Sequence, residues 1–306
     1  MFDTDCSNEM SNRVAQAKYF DDTICPGVVL FLGGADGCAD RVQLSSGTVA
    51  APAVTPDGLY EEGAVIPRPG WRSLTAHERG ALIVESCPPL YGNAVSVISL
   101  PPQLLHPFRS LRIAAAERQS KEMLGRIIGN ESCSRGTDRI LAYLRQHFQQ
   151  PRIDEEWTLA GGIGVRPPRL HTVTEQPGTD ALIGLHLDSW YWQDFALTCR
   201  EDAPNRVCVN IGAEDRYFLF LNVPIAEMYR LVKDKLAIPG PNCPPSSVAT
   251  CFMTTSPSYP VVRVRIRPGE AYIAPTENIA HDGSSIDMDA LDVTLSIRGR
   301  FGLCPK

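Results

Sequence analysis

The sequence predicts a mainly β fold with flanking helices (α+β), its core an antiparallel sandwich or barrel. Three observations carry this. After about residue 155, eight short runs of strand-like pattern recur between turn residues, with a single helical pattern among them. Pro (25) and Gly (24) are abundant, as many turns between short elements require. The segment Arg267-Pro268-Gly269-Glu270 joins two of the runs with residues suited to a tight hairpin turn. Strands that follow one another without intervening helices favour antiparallel pairing over a parallel sheet.

Residues 1–20 are polar and read as a frayed end. Residues 27–32 (GVVLFL) read as a buried strand. The glycines that follow, Gly33, Gly34 and Gly37, have the wrong offsets for a dinucleotide-binding loop, so a tight turn is expected. Helices are expected over 73–85, opened by Ser73 or Thr75, over 111–128, and over 137–149, where Ile140, Leu141, Leu144 and Phe148 lie at helical spacing. The strand runs are 169–174, 182–189, 206–211, 216–222, 248–254, 261–267, 270–274 and 293–298, and the helix among them is 225–236. The division is then a helical and edge-strand region over 1–155 packing on a core formed by 156–306.

The composition narrows the function. With 43% apolar and 21% charged residues, the 306-residue chain is globular. A formal charge of −6 argues against a nucleic-acid partner, which calls for a basic surface. The apolar stretches are too short to span a bilayer, so no membrane partner is expected. The start, Met1-Phe2-Asp3-Thr4-Asp5-Cys6, carries neither a basic segment nor an apolar one. With no C-x-x-C pair among the ten cysteines, the expectation is a cytoplasmic protein whose thiols are reduced and buried.

One constellation carries chemistry. Leu185-His186-Leu187-Asp188 lies in the second run, and strand alternation puts His186 and Asp188 on one face, where both can grip a metal ion. His281 follows His186 by 95 residues, just after the seventh run. His77, His106, His147 and His171 have plainer structural readings. The last run alternates strictly: Val293, Leu295 and Ile297 face one way, and Thr294, Ser296, Arg298 and Arg300 the other. A cationic, hydroxyl-rich face inside a barrel calls for an anion, and Arg holds a carboxylate through paired hydrogen bonds.

On these residues the chain resembles the Fe(II)/2-oxoglutarate-dependent oxygenases over roughly 165–302. The resemblance implies a double-stranded β-helix, the jelly-roll architecture also found in cupins. It implies a facial triad of His186, Asp188 and His281 that holds Fe(II) and leaves positions for 2-oxoglutarate and O2. Arg298 would bind the distal carboxylate, with Thr294 and Ser296 in support. Arg298 lies 17 residues after His281, later than in many members, and Arg300 is the second choice. Asn210 is a further candidate for the cosubstrate, and Trp190, Trp192 and Asn278 for substrate. The implied activity is a dioxygenase that hydroxylates, or otherwise oxidises, a small molecule such as an amino acid, cyclic peptide or natural-product intermediate, releasing succinate and CO2. Desaturation or ring closure belongs to the same chemistry. A nucleic-acid demethylase is disfavoured because no basic groove appears. The alternatives are a cupin-like metalloenzyme, either an isomerase or a cosubstrate-free dioxygenase, and a non-catalytic β-barrel that binds a small molecule.

Overall fold

The computed structural model describes residues 23–33, 39–53, 55, 58–89, 91–109, 120–148, 158–190, 193–240 and 243–305. The strands among them are β1 (Val29–Phe31), β2 (Val42–Ser45), β3 (Thr48–Ala50), β4 (Tyr60–Pro67), β5 (Trp71–Ser73), β6 (Ile83–Val84), β7 (Ala94–Ser99), β8 (Thr158–Arg166), β9 (Leu182–Gly184), β10 (Asn205–Asn210), β11 (Arg216–Phe220), β12 (Val262–Ile266), β13 (Glu270–Ala274), β14 (His281–Ser284) and β15 (Asp292–Gly299). The helices are α1 (Ala76–Leu82), α2 (His106–Arg109), α3 (Ser120–Ile128), α4 (Glu131–Phe148), α5 (Ile225–Val232) and α6 (Pro245–Thr255).

Two large sheets build the core. One runs β6-β1-β7-β13-β10-β15-β8 and the other β14-β11-β12-β2-β5; a small third sheet is β3-β4-β9. The chain passes from one large sheet to the other at β10→β11, β12→β13, β13→β14 and β14→β15, and the pairings among these six strands are antiparallel, as expected. Parallel pairing enters at the edges, where β1 lies between β6 and β7.

Strand alternation sorts the side chains into layers. On β15, Val293, Leu295 and Ile297 pack outward with Phe108, Met123, Ile127 and Leu144 of α2, α3 and α4, while Thr294, Ser296 and Arg298 line a cavity between the large sheets. On β11, Phe218 and Phe220 face the interior with Val262 and Val264, and Leu219 faces α5 and α6. Arg263 and Arg265 of β12 lie outside this interior layer. Arg263 is nonetheless buried, clasped between the rings of Trp71 and Tyr217 and bonded to Gln43 and Asp287.

Five expectations change. Residues 248–254 are helical, within α6. Their β-branched content reads as strand, yet Val248, Ala249, Phe252 and Met253 form one buried face, and Thr254 and Thr255 return their hydroxyls to the carbonyls of Thr250 and Cys251. Residues 169–174 form no regular strand; β8 occupies the sheet edge instead, and its glycines hid it from pattern reading. The regular part of 182–189 ends at Gly184, whose φ of 73° and whose closeness to Val65 exclude a side chain. Cys87 and Cys304 form a disulfide, Cα atoms 6.4 Å apart, joining the segment after β6 to the chain's end. The ten cysteines are therefore not all reduced, which removes one support for a cytoplasmic setting. The helix expected over 137–149 starts earlier, at Glu131, where the Asn130 side chain accepts from the Cys133 amide. Residues 111–119 of the second expected helix lie outside the described residues. Among the described residues no helix is long and apolar enough to cross a membrane.

Helix α1 opens on a capping box. The Thr75 hydroxyl accepts from the Glu78 amide, and the Glu78 carboxylate accepts from the Thr75 amide at 2.8 Å. The Arg72 guanidinium holds the Glu78 carboxyl down to about 2, against the opposing effect of burial. Such a depressed acid stabilises the fold above its unfolded pKa and loses that contribution as pH falls through the folded value. Glu78→Gln is therefore expected to cost about 1 kcal/mol at neutral pH, by the worth of a cap. The gap between urea midpoints of variant and wild type should narrow below about pH 4.

Candidate active site

His186 and His281 face each other across a backbone bridge in which each amide donates to the other's carbonyl, at 3.0 and 2.7 Å. The Asp188 amide donates to the Thr276 carbonyl at 3.0 Å, so the segment beyond Gly184 is fixed against the edge of β14. One ligand atom each from His186, Asp188 and His281 lies within 4.8 Å of the others.

The ring orientations leave these atoms available. His186 Nδ1 lies 2.9 Å from the Gly184 carbonyl, and His281 Nδ1 lies 3.2 Å from that of Ile279. A carbonyl only accepts, so each Nδ1 carries the proton and each Nε2 keeps its lone pair. His281 Nε2 is buried and makes no hydrogen bond to a described residue. A buried, unpartnered imidazole nitrogen beside a second imidazole and a carboxylate is costly unless a cation joins them. Two imidazoles and one carboxylate make the donor set suited to non-haem Fe(II), so the residues fit that ion.

The electrostatics agree at His281 and Asp188. Burial, and then the neighbouring His186, push His281 down to about 3, so its imidazole is neutral and ready to ligate. Burial favours the neutral acid at Asp188, but Arg206 and the two imidazoles outweigh it and hold the carboxyl down to about 2. Burial also opposes charge on His186, yet Asp282 carries its pKa above the ordinary value. Asp282 Oδ2 lies 3.6 Å from His186 Nδ1, while its Oδ1 accepts from the Thr174 hydroxyl at 2.8 Å. Its charge acts on the ring from that distance, while the Gly184 carbonyl orients it.

His281 of the triad lines a cavity of about 220 Å³ between the large sheets. Its walls come from β8, β10, β11, β13, β14 and β15. Gly162 and Gly164 of β8 stand in register with Ser296 and Thr294, leaving the hydroxyl face of β15 open to the space. Four arginines line it. Arg206 pairs with Asp188, Nη2 to Oδ2 at 2.6 Å. Arg216 is held by both oxygens of Asp292, at 2.8 and 3.1 Å. Arg166 donates to the carbonyls of Val173 and Val165. Arg298 stacks on the Trp190 ring, 4.2 Å from its centroid. Gly283, two residues beyond His281, has no side chain where the Arg216 guanidinium reaches in; a Cβ there would fall 2.3 Å from Nη2.

The other expected site residues divide. Arg298, Thr294 and Ser296 line the cavity with Trp190, which is 65% exposed at its mouth. Arg300 does not line it: its guanidinium is spent on the Tyr91 hydroxyl and the Asp202 carbonyl, the latter at 2.6 Å. The regular strand ends at Gly299, and the shared parity with Arg298 is lost there. Asn210 is buried at the end of β10, donating to the Glu214 and Ile266 carbonyls and accepting from the Gly212 amide. Asn278 is buried and donates to the Gly92 carbonyl at 2.9 Å. Both asparagines therefore brace loops rather than face the cavity. Trp192 lies outside the described residues. Pattern reading missed Arg206, Arg216 and Asp292, although alternation on β10 already puts Arg206 and Cys208 on one face. Glu277, next to Asn278 before His281, accepts from the Trp190 amide at 2.9 Å and from buried Arg200 at 2.5 Å, anchoring the mouth. Burial, then nearby Asp188, raises the Glu277 pKa.

No family model and no curated protein matches the chain. Among solved structures it is similar to the Kdo hydroxylase KdoO, a non-heme Fe(II) alphaketoglutarate-dependent dioxygenase, in complex with cobalt(II). The TM-score is 0.38 at 13% identity, over 69% of this chain and 81% of that one. It is similar also to the apo structure of that hydroxylase, with a TM-score of 0.36 at 14% identity over the same shares.

Proposed function

We propose that the protein is an Fe(II)/2-oxoglutarate-dependent oxygenase that oxidises a small molecule. The observation that carries this is the convergence of His186, Asp188 and His281 on one point, with His281 and Arg206, the partner of Asp188, in the wall of a cavity lined by arginines and hydroxyls. The sheet order supports a double-stranded β-helix core. β8-β15-β10-β13 faces the His186 segment with β14-β11-β12, and the chain alternates between the two layers as a jelly roll does.

Bound at the triad, Fe(II) with 2-oxoglutarate and O2 supplies the oxidising chemistry, with release of succinate and CO2. The chain's part is to hold and to exclude. His186, Asp188 and His281 hold the ion. The cationic cavity takes the dianionic keto acid, with Arg298 as the partner of its distal carboxylate and Thr294 and Ser296 as hydroxyl donors. A second assignment is Arg216, because the gap at Gly283 brings its guanidinium to within two residues of His281 along β14. The cavity is smaller than the roughly 300–1,000 Å³ of ordinary ligand pockets. It suits the cosubstrate alone, so the oxidised molecule sits at the mouth. There the exposed ring of Trp190 offers a face for an organic substrate such as an amino acid, cyclic peptide or natural-product intermediate, with Trp192 in the adjoining segment.

Anaerobic titration tests the reading. Fe(II) followed by 2-oxoglutarate should produce the weak visible charge-transfer band expected of an iron-keto acid chelate. Metal binding with no band would move the protein to a cupin-like enzyme without keto-acid chemistry. Absence of metal binding would leave only a ligand-binding β-barrel.

A further inference from the structure

Asp188 has two oxygens, and the structure gives them different company. Oδ1 faces His186 Nε2 at 3.9 Å, on the side of the candidate metal. Oδ2 is paired with Arg206 Nη2 at 2.6 Å. A carboxylate binds hard cations through one oxygen or through both, and a ring-like two-oxygen mode uses an extra coordination position. Nothing in the aspartate itself selects between the modes.

We propose that Arg206 makes the selection: it keeps Asp188 a one-oxygen ligand and thereby keeps a coordination position available to a chelating keto acid. The inference rests on the oxygenase reading above. Arg206 is well built for the task. Its strand, β10, lies inside the larger sheet with neighbours on both sides, Arg206 opposite Ala274 on one and Arg298 on the other. Its side chain is only 17% exposed, so the stem is confined and the guanidinium has little freedom to leave. The contact is a single charge pairing rather than a two-pronged hydrogen-bonded one, and its strength comes from the low exposure of both side chains. Arg206 is thus a positioning residue, acting on the metal through Asp188.

The test compares wild type with Arg206→Gln and Arg206→Lys, each checked for folding by circular dichroism. Co(II) is added anaerobically, without keto acid, and its d–d absorption is recorded. The Gln variant should bind Co(II) with a changed d–d spectrum, and the Lys variant should fall nearer wild type. In the Fe(II) forms, the 2-oxoglutarate concentration that half-saturates the visible band should rise tenfold or more for Gln. If Gln fails to fold, Lys carries the same comparison, with a smaller shift in the same direction. Identical Co(II) spectra, or half-saturation within twofold of wild type, overturn the proposal. Loss of metal together with keto acid also overturns it, since Arg206 would then hold the carboxylate in place without setting its mode. A wild-type protein that binds neither ion fails at the oxygenase reading, a result separate from the others.

Discussion

His281→Ala is expected to abolish metal binding and turnover while leaving the metal-free protein about as stable as before. The reasoning runs through the imidazole's surroundings. His281 is buried, its Nε2 is unsatisfied, and burial together with His186 pushes it down to about 3. In the absence of a cation its Nε2 is an unpaired polar atom, so removal of the ring costs lost packing and the one Nδ1 contact with the Ile279 carbonyl, and functional sites commonly trade stability in this way. Metal reverses the balance. A ligand present at one hundred times its dissociation constant stabilises the folded state by about 2.7 kcal/mol. Wild type should show that rise in thermal melts with added Fe(II) or Co(II), and His281→Ala should show none. Asp188→Ala should also lose metal and turnover, but it differs in one respect. It strips Arg206 of its anion, so the metal-free variant should itself lose up to about 3 kcal/mol, at the low end for a broken buried pair. A metal-induced shift in the melts of both variants, or iron-dependent succinate release by either, would remove the triad from the site.

The extent to which this site is legible in the sequence follows from how local each signal is. The His186 and Asp188 pairing is a two-residue alternation on one extended segment, and the facing of Thr294, Ser296 and Arg298 is a run of period two on β15. The second survives folding because strand geometry dictates it, and the first outlasts the regular end of β9 because His186 still bridges His281. His281 is found by its place in the order of runs. The arginine network is different. Arg216 meets Asp292 across 76 residues, and Arg206 meets Asp188 across the gap between two sheets. Those contacts depend on how the layers stack, which no local pattern encodes. The misreadings have the same root. Residues 248–254 are rich in β-branched side chains, but a buried helical face against α5 outweighs that propensity. β8 is a strand whose glycines carry no hydrophobic signal, because those positions face a cavity that must stay open. Asn210 looked functional for being polar on an apolar strand, yet its amide serves three backbone groups in the adjoining turns.

Arg298→Ala is expected to raise the 2-oxoglutarate requirement about ten- to a hundredfold, the worth of roughly 1.5–3 kcal/mol for hydrogen bonds to a charged group. Arg300→Ala, two positions on, should leave it within about twofold, since that guanidinium faces Tyr91 and the Asp202 carbonyl. The comparison is informative because the two share charge and size, so only placement separates them. Arg216 requires a different variant. Removing its side chain strands Asp292 in the interior, at a cost of about 3–5 kcal/mol, and a lost fold would mask any effect on binding. Arg216→Lys keeps a cation opposite Asp292 while giving up the two-pronged geometry. Measured as the concentration of 2-oxoglutarate that half-saturates anaerobic Fe(II) protein, a large effect at Arg298 with little at Arg216→Lys places the distal carboxylate on β15. The reverse pattern moves it to β11. It would mean that Asp292 orients Arg216 for the cosubstrate, and that Arg298, stacked on Trp190, belongs to the mouth where the oxidised substrate enters.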